Sequence, residues 1–268
     1  MNPPARGPLD PSPRDREATL AERWRHLREG VPSTLVLVGC AVALLVVLVL
    51  VGLFLAKVAS HDALGQADSS LSRWFAAHRS KDLNQVTHYT TDLAETPTIA
   101  LLALLVVAGA ALVWRRWREP LLVAIAVAGE VLLFLIVTLL VDRPRPPVKH
   151  LDAAPPTSSF PSGHTAAAIA LYGAVAVLAS ERARSAALRW LFVAIGVLVP
   201  LVVALSRVYR GMHFVTDVLG GMILSATWLF VTIRAIRLGV LHRQLREGAQ
   251  GRLQSGRRGG TARDRSYQ

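Results

Sequence analysis

The chain has 268 residues, 52% of them hydrophobic, with thirty Lys and Arg against eighteen Asp and Glu and a net charge of +12. Together with a mean hydropathy of +0.40, this composition excludes an ordinary soluble globule and makes lipid the solvent for much of the chain. The charge would suit a nucleic-acid binder, but the arginines collect in polar stretches between long apolar runs, where membrane insertion and anionic lipid select for them, so no nucleic-acid partner is expected.

In chain order, residues 1–32 form an arm rich in proline and charge that cannot bury enough apolar surface to offset chain entropy, and it is predicted to be disordered. A hydrocarbon layer of about 30 Å needs about 20 apolar residues of helix. Six segments satisfy this: 33–56, 97–114, 120–141, 164–180, 190–206 and 214–233. The first is too long for a signal-peptide core, and Lys57 stands where a small residue would be needed for cleavage, so it is read as a retained span. It holds Cys40, the single cysteine, which excludes a disulfide framework and a cysteine-based metal site.

Between the first two spans, segment 57–95 carries Leu64, Leu71, Trp74, Phe75 and Leu83 at roughly helical spacing. This predicts a helix lying flat on the membrane surface. Glu130 lies mid-span in the third helix, where it either lines a polar channel or pairs within the bundle. The tail 239–268, rich in Gly, Arg, Gln and Ser, is predicted to be disordered and to rest on anionic lipid. Twenty-one of the thirty Lys and Arg fall in the arm, the two short turns on its side and the tail. Both termini are therefore expected in the cytoplasm, with the remaining loops facing out.

Three polar clusters sit at span ends on that outer side. They are Asp142-Arg143-Pro144-Arg145-Pro146-Pro147 after the third span, Pro161-Ser162-Gly163-His164 before the fourth, and Ser206-Arg207 with His213 and Asp217 between the fifth and sixth. Guanidinium forks match phosphate oxygens. The start of a helix at Ser162 and Gly163 adds a hydroxyl and backbone amides at the positive end of a dipole, and glycine lets the backbone come close. His213 and Asp217, four residues apart, share one helix face, so that the carboxylate can accept from one ring nitrogen and leave the other to attack. His164 is then placed to protonate a departing oxygen and later to take a proton from water. None of this needs a metal or cofactor, and His61, His78 and His88 have no ligand-like spacing.

Over 97–233 these clusters resemble the three signature motifs of the type 2 phosphatidic acid phosphatase superfamily, which also contains bacterial undecaprenyl pyrophosphate phosphatases and the vanadium haloperoxidases. The resemblance implies an all-α, six-helix integral membrane bundle over 33–238 with its active site at the outer face. It implies His213 as nucleophile, Asp217 as its orienting partner and His164 as general acid. Arg145, Arg207, Ser162 and Gly163 would form the phosphate cradle, and Arg143 or Lys149 is a candidate to add charge. That addition matters because the usual lysine seven residues before the Arg-Pro arginine is Thr138 here, counted from Arg145. The expected reaction is hydrolysis of a lipid phosphate or pyrophosphate, undecaprenyl pyrophosphate first and phosphatidate or phosphatidylglycerophosphate next. Phosphoryl transfer between lipids and a non-catalytic lipid-phosphate carrier are the alternatives. Membrane phospholipid is the only other expected partner, and the sequence does not set an oligomeric state.

Overall fold

Long apolar runs without internal polar breaks have no stable choice in lipid but to close their backbone hydrogen bonds within helices. The computed structural model describes residues 33–58, 62–114, 117–237 and 239, and among these it contains helices and connecting loops but no strand. Six helices are long and apolar enough to span a membrane: α1 (Ser33–Lys57), α4 (Thr96–Trp114), α5 (Arg118–Leu140), α6 (Gly163–Arg182), α7 (Ala186–Tyr209) and α8 (Val215–Arg237). Two shorter ones, α2 (Ala63–Ala77) and α3 (Lys81–Asp92), lie between α1 and α4. Each span agrees with its sequence segment to within four residues at either end. The protein is an all-α, multi-pass membrane bundle. The expected disorder of 1–32 and of the tail, and the Arg115-Arg116 turn, lie outside the described residues.

Leu37–Ile236 form one compact unit. In it α1 buries Leu44, Leu48 and Leu55, at helical spacing on one face, against Leu133 and Val137 of α5, Leu224 and Trp228 of α8, and Phe160. A second cluster joins Val123 and Ala126 of α5 to Leu171, Ala174 and Leu178 of α6 and Leu229 of α8. Outward-facing apolar side chains such as Leu139, 84% exposed, and Leu112, 78% exposed, are the lipid-facing surface.

Helix contacts in the bundle rest on small residues, as expected where lipid removes the hydrophobic drive for association. A Cβ added at Gly196 of α7 would lie 2.4 Å from the Ala176 Cβ of α6, and one at Gly129 of α5 would lie 2.3 Å from the Trp228 ring. Trp228 is fixed there because its indole N–H donates to the Ile125 carbonyl at 3.0 Å. Gly129→Ala is accordingly expected to cost about 1–3 kcal/mol by overpacking, read as a lowered thermal midpoint in detergent. Glu130, on the buried stripe of α5, has neither carboxylate oxygen partnered among the described residues, so the paired alternative is not what the structure shows.

The segment between α1 and α4 departs from the sequence expectation in one respect. Leu64, Leu71, Trp74 and Leu83 do face outward, suited to a membrane surface, but the inward face of α2 is Gly65, Asp68 and Ser72. The segment is fastened by polar bonds. Arg79 donates to the Lys149 carbonyl at 2.7 Å and to the Tyr209 carbonyl, while the Ser80 amide donates to the Tyr209 hydroxyl at 3.1 Å. These contacts lay α2 and α3 across the end of the bundle where α5, α7 and the starts of α6 and α8 meet.

Candidate active site

Two loops make the floor at that end, one joining α5 to α6 (residues 141–162) and one joining α7 to α8 (residues 210–214). A buried loop must find partners for its backbone polar groups. The Ser159 amide donates to the Arg143 carbonyl at 2.9 Å, the Leu151 amide to the Arg210 carbonyl at 3.1 Å, and the Ser162 amide to the Asp217 carbonyl at 2.9 Å. Phe160, fully buried and followed by a cis bond to Pro161, wedges between α1 and α8, where Gly52 and Gly220 leave room for its ring. Gly211, at φ 76°, makes the turn that ends α7.

His213 is 4% exposed. Its Nδ1 lies 2.8 Å from the Ser159 carbonyl oxygen. A carbonyl only accepts, so Nδ1 carries the proton and Nε2 is left with the lone pair. Burial, then the charges of Arg207 and Arg145, hold this imidazole well below its ordinary value of 6.5, with His164 adding to the effect and the Ser159 bond opposing it. Arg207, Arg145 and His164 are thus close enough for their charges to act on His213.

Each of those groups has its own support. Arg145 donates through Nη1 to the Met212 carbonyl at 2.8 Å, and Arg207 through Nη1 to Asp152 Oδ2 at 2.9 Å. In both, the buried Nε has no partner among the described residues. His164 Nε2 stands 3.3 Å from Glu95 Oε1. Asp152 also takes two bonds from Arg210, 2.8 Å from Nε and 2.5 Å from Nη2. Burial pushes the Asp152 carboxyl up, but the Arg210 bonds and the Arg207 charge outweigh that and hold it below the usual carboxylate range. One buried and one half-buried arginine, each with an Nε unpartnered among the described residues, close to an imidazole that keeps a lone pair, suit a phosphoryl group.

Residues 119–238 match the family model described as the PAP2 superfamily. Phosphatidylglycerophosphatase B of Bacillus subtilis (strain 168) is 33% identical over 185 residues, covering 67% of this chain and 88% of that protein. The chain belongs to the PAP2 superfamily. A solved structure agrees: that of the first transmembrane PAP2 type phosphatidylglycerolphosphate phosphatase from Bacillus subtilis superposes with a TM-score of 0.63 at 29% identity, covering 70% of this chain and 93% of that one. This PAP2 protein is thus a membrane phosphatase acting on lipid phosphates, and the non-catalytic carrier alternative falls.

Within the site, three of the expected residues meet partners the sequence did not indicate. Asp217 does not hold His213 by a direct hydrogen bond, since Oδ2 is 3.9 Å from Nδ1. Its two oxygens are taken up by Arg143, by the Ser159 hydroxyl and by the Phe214 amide. The Arg143 guanidinium is buried between Asp217 and Asp68 and ion-paired with both. Ser162 is fully buried, its hydroxyl paired with the Thr165 hydroxyl at 3.0 Å and its amide with Asp217, so it staples the loop instead of offering a donor. Gly163 stands where a Cβ would meet the Phe134 ring at 2.8 Å, and its smallness lets α6 start against α5. Thr138, in the usual lysine position, bonds carbonyls of its own helix.

Sequence reasoning missed Ser159, Glu95, Asp152 and Asp68. Ser159 acts through its carbonyl, which no residue type reveals. The three carboxylates come from loops and from α2, far in sequence from the groups they meet, and only Asp68 had a readable sign, as the one acid placed mid-helix in α2.

Proposed function

We propose that this protein removes the terminal phosphate of a membrane lipid through a covalent phosphohistidine on His213, without a metal. The observation that carries this reading is the fixed tautomer of His213, which leaves Nε2 its lone pair on a ring that feels the charges of Arg207 and Arg145. Arg145, Arg207 and the first amides of α6 at Gly163 and His164, which have no acceptor within the helix, hold the phosphate oxygens. Nε2 bonds to phosphorus as the bond from phosphorus to the lipid oxygen breaks, and His164 delivers a proton to that oxygen. Water then attacks phosphorus, His164 takes its proton and the phosphorus–nitrogen bond breaks, releasing inorganic phosphate and restoring both rings. Asp217 contributes negative charge to the ring that becomes cationic.

The name of the Bacillus relative moves phosphatidylglycerophosphate ahead of undecaprenyl pyrophosphate as substrate. The distribution of Lys and Arg supports cytoplasmic termini and an outward-facing site over a membrane domain of 33–238. Phosphate release from phosphatidylglycerophosphate, phosphatidate and undecaprenyl pyrophosphate by purified protein in detergent with chelator tests the reaction. Fastest release from the first is expected, and a chelator that abolishes release overturns the metal-free scheme. Because His213 must be neutral to attack and is held well below 6.5, the acid limb of kcat/KM is expected to lie below pH 6.5, and the need for a protonated His164 makes kcat/KM fall again on the alkaline side. For orientation, a Lys149→Cys variant in a Cys40→Ser background should react with an impermeant maleimide added outside intact cells. Reaction only after lysis would reverse the topology.

A further inference from the structure

Helix α2 leaves Leu64, Leu71 and Trp74 exposed and buries an aspartate. Asp68, 3% exposed, accepts from Arg143 Nη2 at 3.0 Å, from the Thr216 hydroxyl and from the Thr216 amide at 3.3 Å. Arg143, its guanidinium over the Phe214 ring at 4.5 Å, continues through Nη1 to Asp217 Oδ1 and to the Thr216 hydroxyl at 2.7 Å. Asp217 in turn stands 3.9 Å from His213. The result is a buried row of carboxylate, guanidinium, carboxylate and imidazole, begun by a helix that sequence patterning treats as a surface cover.

The charge of this row decides what Asp217 can do. Alone, Arg143 would cancel Asp217 and leave His213 no net negative charge to meet the positive charge it gains in attack. With Asp68 the three groups sum to one negative charge. We propose that Asp68 is a positioning residue of the phosphatase, which offsets Arg143 so that the Asp217 charge stays available to His213. This rests on the reading of His213 and Asp217 given under the proposed function. A mere fastening of α2 would need only the hydrogen bonds, and a serine or asparagine would serve.

His213 also feels the charges of Arg207 of α7, His164 of α6 and Arg145 of the preceding loop, with Asp152 and Glu95 one partner further on. The test leaves all of these in place. Full-length protein in detergent, acting on phosphatidylglycerophosphate, is compared as wild type, Asp68→Asn, Arg143→Gln and the double variant, for kcat, KM and the pH profile of kcat/KM. At an effective dielectric constant of about 20, a charge about 8–10 Å away moves a pKa by about one unit. Asp68→Asn removes a negative charge, so its acid limb is expected to move down by about one pH unit while kcat falls about tenfold and KM stays within about twofold. Arg143→Gln is expected to move the limb up, and the double variant to return it to the wild-type position with kcat above that of Asp68→Asn.

An Asp68→Asn variant with unchanged kcat and acid limb overturns the proposal. If that single variant does not fold, Arg143→Gln and the double variant decide it, since equal limbs in those two mean the Asp68 charge is not felt. His213→Ala measured alongside separates the levels: an active variant overturns the reading of the site, whereas an inactive one with unmoved Asp68 variants overturns only the role of Asp68.

Discussion

His213→Ala is expected to lower turnover of any lipid phosphate by about 10⁴-fold or more while leaving the protein folded in detergent. The size of the effect follows from the chemistry. Without Nε2 no phosphorus–nitrogen bond forms, and the remaining arginines can only bind. The ring gives up one hydrogen bond, from Nδ1 to the Ser159 carbonyl, and leaving that buried carbonyl without its donor costs about 1–3 kcal/mol. Stability and activity should therefore separate in this variant. Lipid-phosphate binding, measured by protection of the thermal midpoint, should survive, because Arg145 and Arg207 retain their positions. A variant keeping a tenth of wild-type turnover would remove His213 from the chemistry.

Arg143→Ala is expected to fail in a different way, through stability. The side chains of Arg143, Asp68 and Asp217 are 5%, 4% and 0% exposed. Removing the shared cation leaves two carboxylates buried without their counter-ion, and breaking such a pair from one side typically costs about 3–5 kcal/mol. Part of that loss is offset because Asp217 keeps the Ser159 hydroxyl and the Phe214 amide, and Asp68 keeps Thr216. Denaturation in detergent should show a large drop in midpoint, with poor recovery from membranes. Were Arg143→Ala instead as stable as wild type with only a raised KM, Arg143 would be a phosphate ligand, as its place in the Arg-Pro motif suggested.

These two arginine and histidine cases show what can be read from the chain alone. The six spans are legible because about 20 residues without charge have few alternatives, and their alternation brings Arg145, His164, Arg207 and His213 to one end of the bundle. The division of labour among the motif residues is not legible. Arg143 and Arg145 sit two apart in the same Arg-Pro repeat, yet one is spent between Asp68 and Asp217 while the other keeps an Nε unpartnered among the described residues. A motif fixes residue types at spacings; the partner each one meets depends on loops folding over it.

The inward face of α2 was hidden for a second reason. In a soluble protein apolar positions mark the buried side, but beside a membrane both lipid and core are apolar, so leucines do not say which way a helix turns. Here Asp68 and Ser72 face in and Leu71 and Trp74 face out. Similarly, Glu95 and Asp152 look like ordinary loop acids in the sequence, and only the fold sets them against His164 and Arg207.

The measurement that bears most directly on the whole account is trapping of the covalent intermediate. Purified protein is mixed briefly with a lipid carrying a radiolabelled terminal phosphate, quenched in alkali, where a phosphohistidine survives, and digested for peptide mapping. The label is expected on His213, at a level that rises before phosphate release reaches steady state, and it should be absent from His213→Ala. Steady turnover with no label on the protein, or a label on His164 instead, would contradict it.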